Sequence, residues 1–206
     1  MLDVGCGTGT LAAWLAEHAA ARVWGVDPSP EMLAVARSKA PDGVGLKQGP
    51  AEALPFKDGW FERAVMMLVF HHVDRRAALT EIHRVLGEQG RLVIGTFAPA
   101  QFDEYYLAPY FPSIPVVDRA RFETPQQLAA LLRSAGFGDI EEHRLEQRVE
   151  LSRETVLARV RGKHISTFQL LSDDEYATGL ARVERELPAS IESHTHWLVV
   201  SAVRSA

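Results

Sequence analysis

The stretch Leu2-Asp3-Val4-Gly5-Cys6-Gly7-Thr8-Gly9 decides the fold. A short apolar run ends there in three glycines at alternate positions, and a helical pattern follows from about Thr10 to Ala20. This order predicts a strand, a tight turn and the N-terminus of a helix. Because glycine lacks Cβ, the turn can adopt positive φ and a ligand can approach the backbone closely. Exposed N–H groups and the positive helix end favour an anionic or carboxylate-bearing ligand.

Strand and helix patterns alternate after this turn. Further strands are predicted at 22–27, 44–48, 61–70 and 90–98, and the strand over 61–70 is almost continuously apolar, as expected for burial on both faces. This alternation predicts a doubly wound parallel sheet that binds ligands at the carboxyl ends of its strands. Two segments interrupt it, Pro99–Arg121 and Ser152–Pro188. With no repeat or low-complexity linker, one domain over 1–206 is predicted.

The composition excludes several classes of protein. The chain has 206 residues, is 47% hydrophobic and carries a net charge of −5 without a block of like charges, which argues against a nucleic-acid partner. Cys6 is the single cysteine, so neither an internal disulfide nor a cysteine-based metal site is expected, and no metal site is predicted. Apolar runs reach only about eight residues, too short to span a membrane. We expect a cytoplasmic monomer or homodimer.

The glycine spacing distinguishes between nucleotide-binding families. The dinucleotide fingerprint is Gly-x-Gly-x-x-Gly, whereas here the third glycine, Gly9, comes one position early. The pattern Asp3-x-Gly5-x-Gly7-x-Gly9 instead resembles the first motif of class I S-adenosylmethionine (SAM)-dependent methyltransferases. The resemblance implies that the loop cradles the methionine part of SAM and that Asp3 contacts its amino end, directly or through water.

Asp27 carries the second motif. It follows Gly9 by eighteen residues at the end of a strand, where its carboxylate can accept hydrogen bonds from both ribose hydroxyls. This motif alone does not separate SAM from NAD, and an acid that serves only the next helix is the alternative. Met32 packs either on the adenine or in the core.

Residues Gly49–Phe56 carry the third motif. They resemble the family's Gly-Asp-Ala-Glu-x-Leu-Pro-Phe, whose aspartate bonds the adenine amino group, but Pro50 replaces that acid. The Ala51 N–H and the Glu52 side chain remain as possible adenine contacts. Loss of one exposed hydrogen bond weakens binding by about 0.5–1.5 kcal/mol, too little to abolish function.

The segment Met67–Val73 carries the fourth motif, and with it residues 1–98 resemble the methyltransferase-11 group. The resemblance implies that backbone groups near Met67 and Leu68 meet the methionine end of SAM. His71 and His72 then lie at the mouth of the site. One of them is a candidate base for the acceptor's proton, or both hold the turn by hydrogen bonds.

The resemblance implies an α/β fold: a doubly wound, mostly parallel, seven-stranded Rossmann-like sheet with its last strand antiparallel, plus helical lid insertions. The predicted cofactor-binding residues are Asp3, Gly5, Cys6, Gly7, Thr8, Gly9, Asp27, Pro28, Met32, Pro50, Ala51, Glu52, Met67 and Leu68. The two interrupting segments are expected to cover the acceptor, with Tyr105, Tyr106, Tyr110 and His164 as candidate contacts; alternatively the tyrosines form a satellite core.

The resulting hypothesis is SAM-dependent methyl transfer to a small, partly apolar molecule, with S-adenosylhomocysteine (SAH) as product. A non-catalytic SAM-binding module and a nicotinamide oxidoreductase are the alternatives. Only four residues precede Gly5, fewer than a central strand usually has, so we expect a longer natural chain. Alternatively, the chain is trimmed or its binding site is more open than usual.

Overall fold

The computed structural model describes residues 1–19 and 22–205. Its strands are β1 Leu2–Val4, β2 Val23–Asp27, β3 Val44–Gln48, β4 Phe61–Met67, β5 Leu86–Phe97, β6 Phe137–Ser152 and β7 Ser190–Arg204. Its α-helices are α1 Thr10–His18, α2 Pro30–Lys39, α3 Arg75–Val85, α4 Ala100–Asp103, α5 Ser113–Arg121, α6 Pro125–Ser134, α7 Arg153–Arg161 and α8 Asp173–Glu186. The predicted end of the first helix, Ala20, lies outside the described residues.

The strands form one seven-stranded sheet in the order β3-β2-β1-β4-β5-β7-β6. Six strands are parallel and the last is antiparallel, which confirms the predicted fold class. The central strands are buried on both faces: Leu2, Val4, Val23 and Val26 are fully inaccessible to solvent. The carboxyl ends of β1 and β2 are neighbours, because Val4 pairs with Val26. The loop that follows β1 therefore starts beside Asp27.

The fourth strand is shorter than predicted. It ends at Met67, and a 3₁₀ turn follows at Phe70–His72. Leu68 adopts a φ of 53°, outside the range that a strand allows, so the chain turns although it remains apolar. The next helix, α3, begins at Arg75, because the preceding Asp74 carboxylate accepts a hydrogen bond from the Ala77 N–H.

The chain groups into two compact units. The first comprises Met1–Thr96, Pro125–His143 and Leu198–Ala206, and the second Phe97–Thr124 and Arg144–Trp197. Both segments expected to be insertions, 99–121 and 152–188, fall within the second unit. That the units together form one domain stays a prediction. Every helix in the described part of the chain is too short or too polar to cross a bilayer.

The second unit has its own apolar core. Its fully buried members come from α5, α7, α8 and the connections between them, and include Phe111, Ile114, Val156, Val160, Phe168 and Val183. Ser152 and Ser172 cap α7 and α8, because each side chain accepts a hydrogen bond from the N–H of the residue three positions later. The Glu175 carboxylate, in the first turn of α8, accepts from the Ser113 N–H.

Candidate active site

The three glycines after β1 have different structural roles. All three have positive φ, which glycine adopts without strain. A Cβ on Gly5 would lie 2.4 Å from Val69 Cγ2, and one on Gly9 would lie 3.0 Å from Ala36 Cβ. Gly7 has no atom within 4 Å of that position. Gly5 and Gly9 therefore allow close packing within the protein, and only Gly7 leaves open space for a ligand.

The N–H groups of this loop are largely used inside the protein. Gly5 and Cys6 both donate to the Val26 carbonyl, at 2.7 and 3.0 Å, and Gly9 donates to the Cys6 carbonyl at 2.8 Å. The expectation that the loop presents exposed N–H groups to an anion is wrong for these residues. Because these N–H groups hold the loop against the end of β2, they are not available to a ligand. The loop therefore contributes its fixed shape to a binding site.

Asp27 links the glycine loop to the following helix. Its Oδ2 accepts from the Gly7 N–H at 2.8 Å, and its Oδ1 accepts from the Ser29 N–H at 2.9 Å. Each carboxylate oxygen can accept a further hydrogen bond, so the side chain still has capacity for a ligand. The Ser29 hydroxyl in turn accepts from the Met32 N–H and caps α2. Asp27 thus supports the start of the next helix, as one of the two alternatives expects, and its contact with a ribose stays a prediction.

The loop after β3 is held by α3. Glu52 accepts from the Asp74 N–H at 2.8 Å, at the N-terminus of that helix. Arg84, near its end, donates to the Leu54 and Phe56 carbonyls. The hydrogen bonds of Arg84 to acidic neighbours raise the pKa of its guanidinium, which stays charged. The loop that carries Pro50 is therefore held by residues at both ends of α3. One oxygen of the Glu52 carboxylate already accepts a hydrogen bond there.

These elements enclose a cavity of about 520 Å³ in the first unit, here called the glycine-loop cavity. Its lining residues are Gly5, Gly7, Asp27, Pro28, Ser29, Met32, Gly49, Pro50, Ala51, Glu52, Leu68, Val69, His72 and Val73. Nine of the predicted cofactor-binding residues are among them: Gly5, Gly7, Asp27, Pro28, Met32, Pro50, Ala51, Glu52 and Leu68. The sequence motifs thus converge on one cavity, large enough for a nucleoside-sized ligand.

Five predicted cofactor residues do not line the cavity: Asp3, Cys6, Thr8, Gly9 and Met67. Met67 packs instead over Gly95, where a Cβ would lie 2.6 Å from its sulfur. Sequence reasoning in turn missed four lining residues, Ser29, Gly49, Val69 and Val73. Each of them is the sequence neighbour of a predicted residue. Extending each predicted set by one position would therefore have included them.

Asp3 is a buried acid on β1, two residues before the first loop glycine. It is 2% exposed, and its Oδ2 has no hydrogen-bond partner among the described residues. Burial raises the pKa of the Asp3 carboxyl to about 7, and the nearby charge of Asp27 adds to the effect, opposed by a hydrogen bond from the Ala12 backbone. Burial likewise raises the pKa of the Cys6 thiol to about 12, so that thiol stays protonated and is not a nucleophile.

The two candidate bases, His71 and His72, differ in their position relative to the cavity. Their rings lie 4.0 Å apart, centroid to centroid, but only His72 lines the cavity. The turn that carries both is closed by a hydrogen bond from the His72 N–H to the Val69 carbonyl. His72 is therefore the residue that can meet a ligand, and a role for either histidine in proton transfer stays a prediction.

The candidate acceptor residues all lie in the second unit. Tyr105, Tyr106 and Tyr110 pack against its apolar core, as the satellite-core alternative expects. Burial raises the pKa of the Tyr105 phenol well above its usual value. The His164 ring contacts its own helix end through the Arg159 carbonyl, at 3.1 Å. An acceptor lid built from these residues stays a prediction.

Comparison with known proteins agrees with the motifs. Residues 2–94 match the family model described as "Methyltransferase domain". A demethylmenaquinone methyltransferase of Thermus thermophilus is 44% identical over 105 residues, 48% of this chain and 47% of the relative. An O-methyltransferase of Penicillium expansum is 38% identical over 149 residues, 66% of this chain and 51% of the relative. The chain thus spans about half the length of these curated relatives.

A solved structure shows the same fold over almost the whole chain. A putative methyltransferase from an antibiotic biosynthesis pathway of Anabaena variabilis superposes with a TM-score of 0.71 at 22% identity, covering 96% of this chain and 88% of its own. At that identity the likeness concerns the fold alone. Taken with this shared fold, the family model over residues 2–94 confirms the resemblance to the class I SAM-dependent methyltransferases.

Proposed function

We propose that this chain transfers the methyl group of SAM to a small-molecule acceptor. The observation that carries the proposal is the position of Asp27. Its carboxylate lines the glycine-loop cavity while both oxygens are held by backbone N–H groups. A carboxylate that is held in place and can still accept hydrogen bonds suits a vicinal diol such as the SAM ribose.

The remaining cavity residues fit the other parts of SAM. Gly7 leaves the space beside the loop open. Met32 is half exposed on α2 while it lines the cavity, which suits contact with the flat face of an adenine rather than a core position. Asp3 does not line the cavity, but its unpartnered buried oxygen is a candidate acceptor for the ammonium group, directly or through water. Pro50, with no N–H and no carboxylate, leaves adenine recognition to Ala51 and Glu52.

Bound SAM supplies the activated methyl group as a sulfonium. The chain's task is to orient the two reactants and exclude water. Leu68 serves orientation, because its φ of 53° holds the chain in a conformation that a non-glycine residue adopts only under surrounding constraint. His72 is positioned to accept a proton where the acceptor carries one. An acceptor with a weakly held proton needs no such base.

The acceptor class is proposed from the curated relatives. The two relatives are named for demethylmenaquinone and for an oxygen acceptor. We therefore test a reduced demethylmenaquinone and a small panel of phenols with radiolabelled SAM, and count label in the organic extract. Transfer to one of them, abolished in Asp27→Ala, is expected. Tight SAH binding without transfer to any acceptor would instead favour the non-catalytic SAM-binding alternative.

Asp3 provides a pH-dependent test of the buried carboxyl. Its folded-state pKa, about 7, exceeds its ordinary value of 3.8, so folding is favoured by the protonated form. This contribution is full below about pH 4, falls as the pH rises through 7, and totals about 4 kcal/mol. Asp3→Asn is expected to remove it. Urea unfolding measures the difference in the free energy of unfolding between Asp3→Asn and wild type. This difference should shift in favour of the variant by about 2–3 kcal/mol between pH 5 and pH 8.

The same variant separates stability from binding. At pH 8 Asp3→Asn is expected to stabilise the free chain yet weaken SAH binding, because the ammonium group loses its counter-charge. Asp42→Asn, in an exposed turn, is the matched control and should change neither quantity. Equal SAH affinity in wild type and Asp3→Asn would remove Asp3 from the proposed site, whereas a constant stability difference across pH would show that its carboxyl is not perturbed.

A further inference from the structure

Three side chains of the types that ligate metal ions lie together in the second unit. The proposed methyl transfer does not use this cluster. Glu104 follows α4, and His194 and His196 lie two residues apart on β7. Glu104 Oε2 is 3.0 Å from His196 Nε2 and 3.5 Å from His194 Nδ1. One ligand atom from each residue lies within 4.8 Å of the others. Alternate residues of a strand share a face, so both histidines turn toward the same carboxylate.

These distances suit a transition-metal ion. Ligands at 2.0–2.1 Å from a tetrahedral Zn²⁺ lie about 3.3 Å from one another. The 3.0 and 3.5 Å separations bracket that value, so an ion can replace the protons now shared between these atoms with little movement. Two imidazoles and one carboxylate form a donor set that Zn²⁺ accepts. With Glu104 on the exposed side, water can complete the coordination.

The surroundings of the cluster orient its ligands. His194 Nε2 is hydrogen-bonded to the Glu192 carboxylate, which leaves Nδ1 as the ligating nitrogen and reproduces the carboxylate–histidine–metal arrangement. The His196 backbone is fixed on both sides: its N–H donates to the buried Gln101 side chain, and its carbonyl accepts from the Ala98 N–H, both at 2.8 Å. His194 and His196 are 25% and 17% exposed, so neither ring is free in solvent.

We propose that Glu104, His194 and His196 bind a divalent transition-metal ion, with Zn²⁺ as the reference ion, and that Glu192 orients His194. The ion joins the end of α4 to β7, two parts of the second unit that are about ninety residues apart in sequence. Its role is structural, and the proposal is independent of methyl transfer. A bound ion stabilises the folded chain in proportion to the logarithm of its concentration.

The test is zinc binding by the full 206-residue chain after treatment with a chelator. Titration calorimetry is expected to show one Zn²⁺ per chain with a dissociation constant in the micromolar range. At 100 times that concentration the unfolding midpoint should rise by about 5–10 °C. Co²⁺ should bind at the same site and give visible ligand-field absorption, whose intensity reports the coordination number.

Variants identify the ligands. His194→Ala and His196→Ala are each expected to weaken Zn²⁺ binding by at least about 100-fold, and Glu192→Gln by about 10- to 100-fold. The matched control is His143→Ala, which removes an exposed histidine 3.9 Å from the Glu141 carboxylate and should bind Zn²⁺ as wild type does. Glu104→Gln keeps a hydrogen-bond acceptor for His196 but removes the charge, so it should fold normally and still lose the ion.

Two results would overturn the site. One is the absence of stoichiometric Zn²⁺ binding by wild type below millimolar concentration. The other is equal binding by wild type and Glu104→Gln, with circular dichroism confirming that the variant is folded. Because Glu104→Gln alters only an exposed side chain, this comparison decides the question even if a histidine variant fails to fold. SAH affinity, measured in parallel, is expected to stay unchanged in all of these variants.

Discussion

Asp27→Asn is expected to weaken SAH binding by at least about 100-fold. The substitution removes the charge that strengthens hydrogen bonds to the ribose hydroxyls, each worth about 1.5–3 kcal/mol. Loss of two such bonds corresponds to about 10²- to 10⁴-fold in affinity. In addition, the new amide NH₂ must face one of two N–H donors, that of Gly7 or that of Ser29. Either the glycine loop loses its hydrogen bond to the end of β2, or the end of β2 loses its hydrogen bond to Ser29 at the start of α2.

Calorimetric titration with SAH checks this expectation, and thermal unfolding in the absence of ligand separates binding from folding. An unmatched backbone donor costs about 1–3 kcal/mol, so Asp27→Asn should unfold at a somewhat lower temperature but remain folded at 25 °C. Asp42→Asn again serves as the control for the loss of one carboxylate. SAH affinity within threefold of wild type would mean that the cavity beside Asp27 is not the cofactor site.

Gly5→Ala is expected to cause a large loss of stability for the addition of a single methyl group. The left-handed backbone, with φ of 73°, costs an alanine about 1–2 kcal/mol. The new Cβ would also lie 2.4 and 2.6 Å from the two methyl carbons of Val69, and overpacking of this kind costs about 1–3 kcal/mol. Against a total stability of about 5–15 kcal/mol, the sum lowers the unfolding midpoint by about 4–20 °C.

A double-mutant cycle separates the two causes. Val69→Ala removes the methyl carbons that the new Cβ would meet, so Gly5→Ala should cost less in a Val69→Ala background than in wild type. Gly43→Ala provides the matched control, because Gly43 has a φ of 94° but no atom within 4 Å of the added Cβ. It should show backbone strain alone. Equal costs for Gly5→Ala in both backgrounds would exclude the clash with Val69.

Much of the fold is predictable because its local patterns agree with one another. The strand predicted at 22–27 is short and apolar, and it appears as β2, with Ser29 capping the helix that follows. The glycine spacing likewise agrees with the strand pattern before it and the helix pattern after it, and so predicts the turn after β1. The limits of elements were less predictable. Leu68 ends β4 by adopting positive φ, and an apolar residue gives no sign of this in the sequence.

The candidate site was predictable where motif residues themselves face the cavity, as Asp27 and Gly7 do. It was not predictable which backbone donors the protein uses internally, because the Val26 carbonyl that binds Gly5 and Cys6 belongs to another strand. The absence of a metal site was inferred from the single cysteine. That reasoning overlooks His194 and His196, whose meeting with Glu104 depends on contacts between distant parts of the chain.

The strand order has a consequence for synthesis of the chain on the ribosome. β7 lies between β5 and β6, although it is the last of the three to be made. While residues 153–189 are being added, which takes about 2–7 seconds at 5–20 residues per second, β6 has no sheet neighbour and β5 presents an unpaired edge. Such an edge is a site for pairing with another nascent chain. The yield of correctly folded protein should therefore depend on how fast this segment is translated.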